Sequence, residues 1–314
     1  MTFVRRAIID IGTNAVKVLV AEVCDRHVRP LWEDRKQTRL GEGFYDSHQL
    51  QPEAIHATAH FAAEFVRLAQ SYNVEHIRII ATSAARDAVN QADFLRAVEQ
   101  KAGLKVDVIS GEQEAELTYR AVTSDEALDG HRLCILEVGG GSAQFMVGEG
   151  ADMEFAKSFE LGGVRLLERF QPSDPPRPDD LAQCRQWLTD FFAREIQPAI
   201  APALGKARER TLFLGTGGTA TTLMRMINRQ EAGPNEDFKA EGIPANTLIR
   251  KVDLLWSLSL SERKRLIGLK KKRADVIPFG AVLFETAVRI LDFTHLRVSK
   301  RGIRYGAVQL RPED

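Results

Sequence analysis

Cysteine is scarce: only Cys24, Cys134 and Cys184 occur among 314 residues. Scattered as they are, they form neither a disulfide framework nor a CxxC metal knuckle, and a reducing compartment fits best. An excess of either charge is also missing, because Lys+Arg and Asp+Glu both number 43. No global field therefore steers the chain toward nucleic acid or a membrane, and any anion site must be local. No apolar run is long enough to span a bilayer, and the N-terminus enters a strand pattern without a signal-peptide core. The expectation is a soluble, cytoplasmic protein. A zinc signature, a nucleophile elbow, a Rossmann GxGxxG and a protein-kinase set are all absent. The seven histidines show no ligand spacing and read as structural.

What the chain does have is a repeated glycine hairpin. ILEVGGGSAQFMV, Ile135 to Val147, is an apolar run with an acid, Glu137, that breaks into Gly139, Gly140 and Gly141 and resumes through Ser142, Ala143 and Gln144. Two short apolar runs around such a turn predict a β-hairpin. Successive glycines let the backbone approach a ligand, so that N–H groups can converge on an anion, although glycine clusters also mark simple tight turns. IIDIGTNAVKVLV, Ile8 to Val20, has the same build at an offset of 127 residues. At that offset Asp10 meets Glu137, Gly12 meets Gly139, Ala15 meets Ser142 and Lys17 meets Gln144. A repeat at domain-sized spacing, in a chain long enough for about two domains, predicts two similar domains facing each other across a phosphate site.

The remaining segments alternate strand and helix patterns. A third strand is expected near Arg29 to Lys36, then a glycine-bearing loop, Thr38 to Phe44, in which Arg39 is either a surface charge or an anion contact. Apolar residues at helical spacing predict a helix over Pro52 to Tyr72, followed by a strand at Ile77 to Ala81. ATSAARDA then brings Arg86 and Asp87 to a strand end, which suits either the mouth of a ligand site or a plain helix cap. A helix from Asp93 to Ala102, a strand at Val106 to Ile109 and a helix opened by Ser110 come next. Gln113 completes a capping box, and Glu112, Glu114 and Glu116 crowd the first turns, where the helix dipole favours them.

Beyond the polar crossing at Asp125 to Arg132 and the second hairpin, ELGGVRLLERF places Arg165 on a new helix. A proline-rich connector, Pro172 to Asp180, precedes a helix at Leu181 to Ile200 and a strand at Leu212 to Leu214. GTGGTATTLMRM then joins a strand to a helix through Gly217 and Gly218, an anion cradle but not a Walker loop, since no GK[ST] closes it. A helix is expected at Val252 to Leu260. The basic run after it, Arg263 to Arg273, is either a solvated face or a polyanion track beside the apolar helix of PFGAVLFETAVRIL, expected to line the site. LRVSKRGIRYGAVQL predicts a last strand, a glycine turn and a closing helix that packs back on the first domain.

DIGTN, ATSAARDA, SGEQEAE, VGGGS, LGGVRL, GTGGT, RADVI and GIRYG, in this order, resemble the exopolyphosphatase / guanosine pentaphosphate phosphohydrolase (Ppx/GppA) family in its short, two-domain form. The resemblance implies an α/β fold of two duplicated domains of the actin, hexokinase and heat-shock-chaperone type (ribonuclease H-like) around a central cleft. It places the first domain at 1–122 plus 300–314 and the second at 123–299. It implies that Gly12, Thr13, Asn14, Gly139, Gly140, Gly141 and Ser142 cradle the terminal phosphate of inorganic polyphosphate or guanosine pentaphosphate, joined by Gly217 and Gly218. Arg86 and Arg165 become cationic contacts, and Glu114 the group that orients or deprotonates the attacking water. Asp10 and Glu137 become ligands of Mg2+, or of another divalent cation. No nucleic acid or membrane partner is implied, and the self-association considered is a homodimer.

Two departures from the family pattern stand out. Glu137 is one methylene longer than the family's aspartate, and Gln144 stands where GGGSTE carries a second catalytic glutamate. An amide cannot accept a proton as a general base. The expected activity is Mg-assisted release of orthophosphate from polyphosphate, with guanosine pentaphosphate the alternative substrate. Gln144 also allows a weakly active phosphate-ligand sensor, and the superfamily's hairpins serve sugar and acetate kinases as well.

Overall fold

The computed structural model describes residues 3–231, 238 and 242–311. The chain divides into two compact units, Met1–Asp129 with Arg301–Asp314, and Gly130–Lys300. In the first, β1 (Val4–Ile11), β2 (Val16–Cys24) and β3 (His27–Lys36) form an antiparallel meander, to which β4 (His76–Ala81) and β5 (Val106–Val108) add in parallel, in the order β3-β2-β1-β4-β5. β1 is buried continuously from Ala7 to Ile11, as expected for a strand covered on both faces. One cover is the Pro52–Gln70 helix, whose Ile55, Ala59, Phe65 and Val66 pack with Ile9, Ile11 and Val18. The other joins the Gly111–Thr123 helix to the closing Ile303–Ala307 helix, where Ile303, Tyr305 and Val308 meet Ile8, Leu19 and Leu117. Truncating a fully buried Leu19 would cost about 2–5 kcal/mol.

The second unit repeats the plan. β6 (Arg132–Val138), β7 (Ala143–Glu149) and β8 (Asp152–Phe159) form the meander, and β9 (Thr211–Thr216), β10 (Ile243–Pro244) and β11 (His295–Val298) complete the order β10-β11-β9-β6-β7-β8. The pairing register repeats at the offset read from the sequence: Asp10 faces Lys17 as Glu137 faces Gln144, and Ile8 faces Leu19 as Ile135 faces Met146. Even the bulge recurs, between Val20 and Ala21 in one unit and Val147 and Gly148 in the other. Side chains alternate across a strand, so a slip of one residue would turn the acid of each hairpin to the other face of its sheet.

Some boundaries differ from the sequence reading. The helix expected at Val252 to Leu260 runs over Ala245–Ser257, because its buried stripe is Leu248, Val252, Leu255 and Trp256, and Leu258 is already extended. Ser259 then caps a separate short helix, Leu260–Arg263. The helix expected to begin at Leu181 starts at Pro178, where Asp180 accepts the Arg177 N–H and closes the first turn. The Ile277–Ile290 helix is buried at every residue from Ile277 to Val288, within the core of the second unit. Its single acid, Glu285, is paired with Arg185 at 2.9 Å and Arg289 at 3.7 Å.

All three cysteines are buried and unbridged. Burial pushes the Cys134 and Cys184 thiols up, so neither behaves as a reactive thiolate. Among the described residues, no helix is long and apolar enough to cross a membrane.

Candidate functional site

In the second unit, the glycine turn is shaped by the N-terminus of the Gly163–Phe170 helix. The first N–H groups of any helix lack partners within it. Here they take the carbonyls of the turn: Gly163 donates to Gly139 at 3.0 Å, while Val164 and Arg165 both donate to Gly140, at 2.8 and 3.1 Å. The Arg165 side chain continues the row, Nε donating to the Gly141 carbonyl at 2.9 Å. A peptide group is planar and trans, so each carbonyl held to one side sends the following N–H to the other. The N–H groups of Gly140, Gly141 and Ser142 are thereby aligned away from the helix, and no acceptor meets them among the described residues. Gly162 permits this approach: a Cβ there would lie 2.3 Å from the Gly140 oxygen and 2.5 Å from the Gly141 nitrogen.

The first unit builds the same device from a loop. Gly12 donates to Ala15 at 3.1 Å, as Gly139 donates to Ser142 at 2.9 Å, again at the repeat offset. The Thr13 carbonyl accepts from Gly41 at 2.8 Å and the Asn14 carbonyl from Arg39 at 3.2 Å. This directs the N–H groups of Asn14 and Ala15 away from the Thr38 to Phe44 loop. Gln37 holds the Asn14 side chain through a 3.0 Å hydrogen bond to Oδ1. Arg39 thus contributes its backbone in a left-handed conformation, φ +51°, while its side chain pairs with Glu42 at 3.0 Å.

Arg86 and Glu114, 28 residues apart in the sequence, come together in this unit. Ser110 and Gln113 form the expected capping box, at 2.9 and 3.1 Å, and so fix the helix start that carries Glu114. Glu114 is buried, with Oε2 3.6 Å from Arg86 Nη1. That same guanidinium donates to the Ile109 carbonyl at 3.1 Å and to Asp87 at 3.3 Å. Arg86 is therefore held by three groups and presents one carboxylate in a fixed orientation.

Each hairpin carries one carboxylate that could be offered to a divalent cation, Asp10 in the first unit and Glu137 in the second. Among the described residues no three His, Cys, Asp or Glu side chains gather as a metal cluster. Mg2+ does not require one, since it takes one or two carboxylates and completes its shell with water and phosphate oxygens. The two acids are not equivalent. Asp10, 2% exposed, has Lys17 Nζ at 2.8 Å, so an ammonium already balances its charge. Glu137 faces the neutral Gln144 across the hairpin. It lies beside Gly217, where φ is +83° and an added Cβ would sit 3.3 Å from Glu137 Oε1.

The role of Arg273 is not apparent from the sequence. It stands at the end of a basic run yet is 8% exposed, with Nη1 donating to the Gly218 carbonyl at 2.8 Å and to Thr222 Oγ1 at 3.4 Å. A Cβ on Gly218 would strike it at 2.4 Å. The signal was the apolar company of Ala274, Val276 and Ile277, which no solvated lysine-rich face would need. Arg263 is also buried, whereas Lys270, Lys271 and Lys272 are exposed. Ser158 was missed as well; it pairs with Gln144 across β7 and β8.

A family model described as the Ppx/GppA phosphatase family matches residues 19–310. The chain is similar to exopolyphosphatase 2 of Mycobacterium tuberculosis, with 29% identity over 320 residues that cover 98% of each protein. Among solved structures it resembles the Aquifex aeolicus PPX-GPPA enzyme, at 28% identity and a TM-score of 0.80, covering 98% of this chain and 99% of that one. It also resembles an exopolyphosphatase from Cytophaga hutchinsonii, at 25% identity and a TM-score of 0.83 over 96% of each. The duplicated sheets and their glycine hairpins agree with that likeness. With a match across nearly its whole length, the chain belongs to the Ppx/GppA phosphatase family.

Proposed function

We propose that this protein is a phosphohydrolase that removes terminal orthophosphate from inorganic polyphosphate. The observation that carries the reading is the alignment of Gly140, Gly141 and Ser142 N–H groups by the Gly163–Phe170 helix, repeated in the first unit at Asn14 and Ala15. A row of amides with its carbonyls tied back suits an anion such as the oxygens of a phosphate. The similarity to proteins named exopolyphosphatase supports the substrate class.

Phosphoryl transfer to water needs positioning and charge stabilisation more than covalent help. In this reading the amides of a glycine hairpin bind the oxygens of the terminal phosphate. Glu114 accepts a proton from the attacking water, the water oxygen forms the new bond to phosphorus, and the bond to the bridging oxygen breaks. The electron pair stays on that oxygen, which becomes the terminus of the shortened chain. Arg86 holds the Glu114 carboxylate in place, and Arg165 holds the turn. A divalent cation bound by Glu137 would neutralise charge on the phosphate oxygens. Gln144 cannot act as a second base, which supports a second reading, a phosphate-ligand sensor with little turnover.

Phosphate release from polyphosphate, guanosine pentaphosphate and ATP, measured side by side without an acceptor, tests the proposal. Release from polyphosphate is expected. Release from guanosine pentaphosphate alone would move the assignment to that substrate. Tight binding with no release would leave the sensor.

A further inference from the structure

Gln144 is fully buried in β7, and both of its amide hydrogens are used. Nε2 donates to Ser142 Oγ at 2.9 Å and to Ser158 Oγ at 3.1 Å. Its Oε1 is buried and meets no donor among the described residues. A hydroxyl has one hydrogen to give and two lone pairs to receive with. Ser142 Oγ receives from Gln144, so its own hydrogen is available to another acceptor. Ser142 also ends the row of amides that the helix aligns.

We infer that Gln144 sets the hydrogen-bond polarity of Ser142, making its hydroxyl a fourth donor to a phosphate oxygen beside the three backbone N–H groups. A carboxylate at this position would do the reverse. It accepts only, so the Ser142 and Ser158 hydrogens would turn toward it and Ser142 would offer a lone pair to the anion. It would also face Glu137 directly, since Glu137 and Gln144 are cross-strand partners, and like charges opposed on one sheet face repel. Gln144 is thus a positioning residue that favours binding of the terminal phosphate of a phosphoric anhydride. The inference rests on the phosphate-cradle reading of the turn.

The test is a double-mutant cycle on the full chain, with inorganic phosphate and orthovanadate as probes and calorimetric affinities as the readout. Ser142→Ala should weaken binding about tenfold, the effect of losing one hydrogen bond to a charged group. Gln144→Glu should weaken it at least as much, because the introduced carboxylate turns the Ser142 hydrogen toward itself. The direct repulsion between the introduced carboxylate and the anion acts with or without the Ser142 hydroxyl, so it cancels in the cycle. The donor can be lost only once, so Ser142→Ala with Gln144→Glu should bind about tenfold better than additive losses predict. Additive losses would overturn the inference.

Gln144→Met, uncharged and similar in size, guards against misfolding of the glutamate variant. It should cost less than about threefold in the wild type and nothing further when combined with Ser142→Ala. A Gln144→Met loss that persists in the alanine background would overturn the inference, because the amide would then be acting without Ser142. If Ser142→Ala alone leaves affinity unchanged, the inference falls while the backbone cradle, which alanine retains, stands; a wild-type chain that binds neither phosphate nor orthovanadate would remove the cradle reading itself.

Discussion

At the scale of single residues, the glycines separate into those that need to be glycine and those that merely are. Gly12 stands out in the sequence, yet a Cβ there would meet only the Ala15 oxygen, at an ordinary 3.5 Å. Gly162, unremarked within LGGVRL, would place a Cβ 2.3 Å from the Gly140 oxygen. We therefore expect Gly12→Ala to fold and bind phosphate close to the wild type. Gly162→Ala should push the Gly163–Phe170 helix off the turn and lose phosphate affinity by about tenfold or more, roughly one charged hydrogen bond. Calorimetry with inorganic phosphate compares the two, and equal losses would break the link between the helix and the turn. Spacing and glycine content locate a turn, but they do not show which glycine is in close contact, because that contact crosses from one element to another. The same limit hid Arg273, whose partners at Gly218 and Thr222 lie about 50 residues back in the chain.

At the scale of elements, the hairpin repeat was legible almost completely. Its acid, its glycine and its cross-strand partner recur at one offset in the sequence, and the pairing register and bulge recur at that offset in the structure. The basic run was legible only in part, since buried and exposed cations look alike in a sequence. Lys270, Lys271 and Lys272 are exposed. If they track a polyanion, neutralising all three should weaken long-chain polyphosphate far more than a nucleotide, with a steep loss of binding as salt rises. Equal effects on long and short ligands would mark an ordinary solvated face.

A pH dependence belongs to the Pro178–Phe191 helix. Asp180 accepts hydrogen bonds from the Arg177 and Ser173 N–H groups, the Ser173 hydroxyl and the Arg177 guanidinium. The Arg177 N–H bond is the largest cause that lowers its carboxyl from an ordinary 3.8 to about 2. A carboxylate whose pKa falls on folding adds stability above its unfolded value, and that stability is lost as the pH drops toward the folded one. Asp180→Asn should therefore lower the melting temperature at pH 7 and flatten the decline of stability between about pH 4 and pH 2. Thermal melts across that range check it, and an unchanged acid limb would contradict it.

At the scale of the whole molecule, the order of eight short motifs carried more information than any one of them. Each is a strand end or a helix start, the places where an α/β sheet presents ligand-binding backbone. That is why the fold class and family could be read before the structure, while the hydrogen bonds of Gln144 and Arg165 could not. Arg165 is tied to the Gly141 carbonyl and to Glu160 at 3.1 Å, contacts that cross between elements and leave no mark in the sequence.

The central claim is that backbone amides bind the phosphate while Glu114 activates the water. Glu114→Gln, assayed for single-turnover phosphate release from polyphosphate and for inorganic phosphate affinity, separates the two roles. The account predicts release slower by about two to four decades, the usual range for a general base, with phosphate affinity retained. Release at the wild-type rate, or loss of affinity in step with rate, would contradict it.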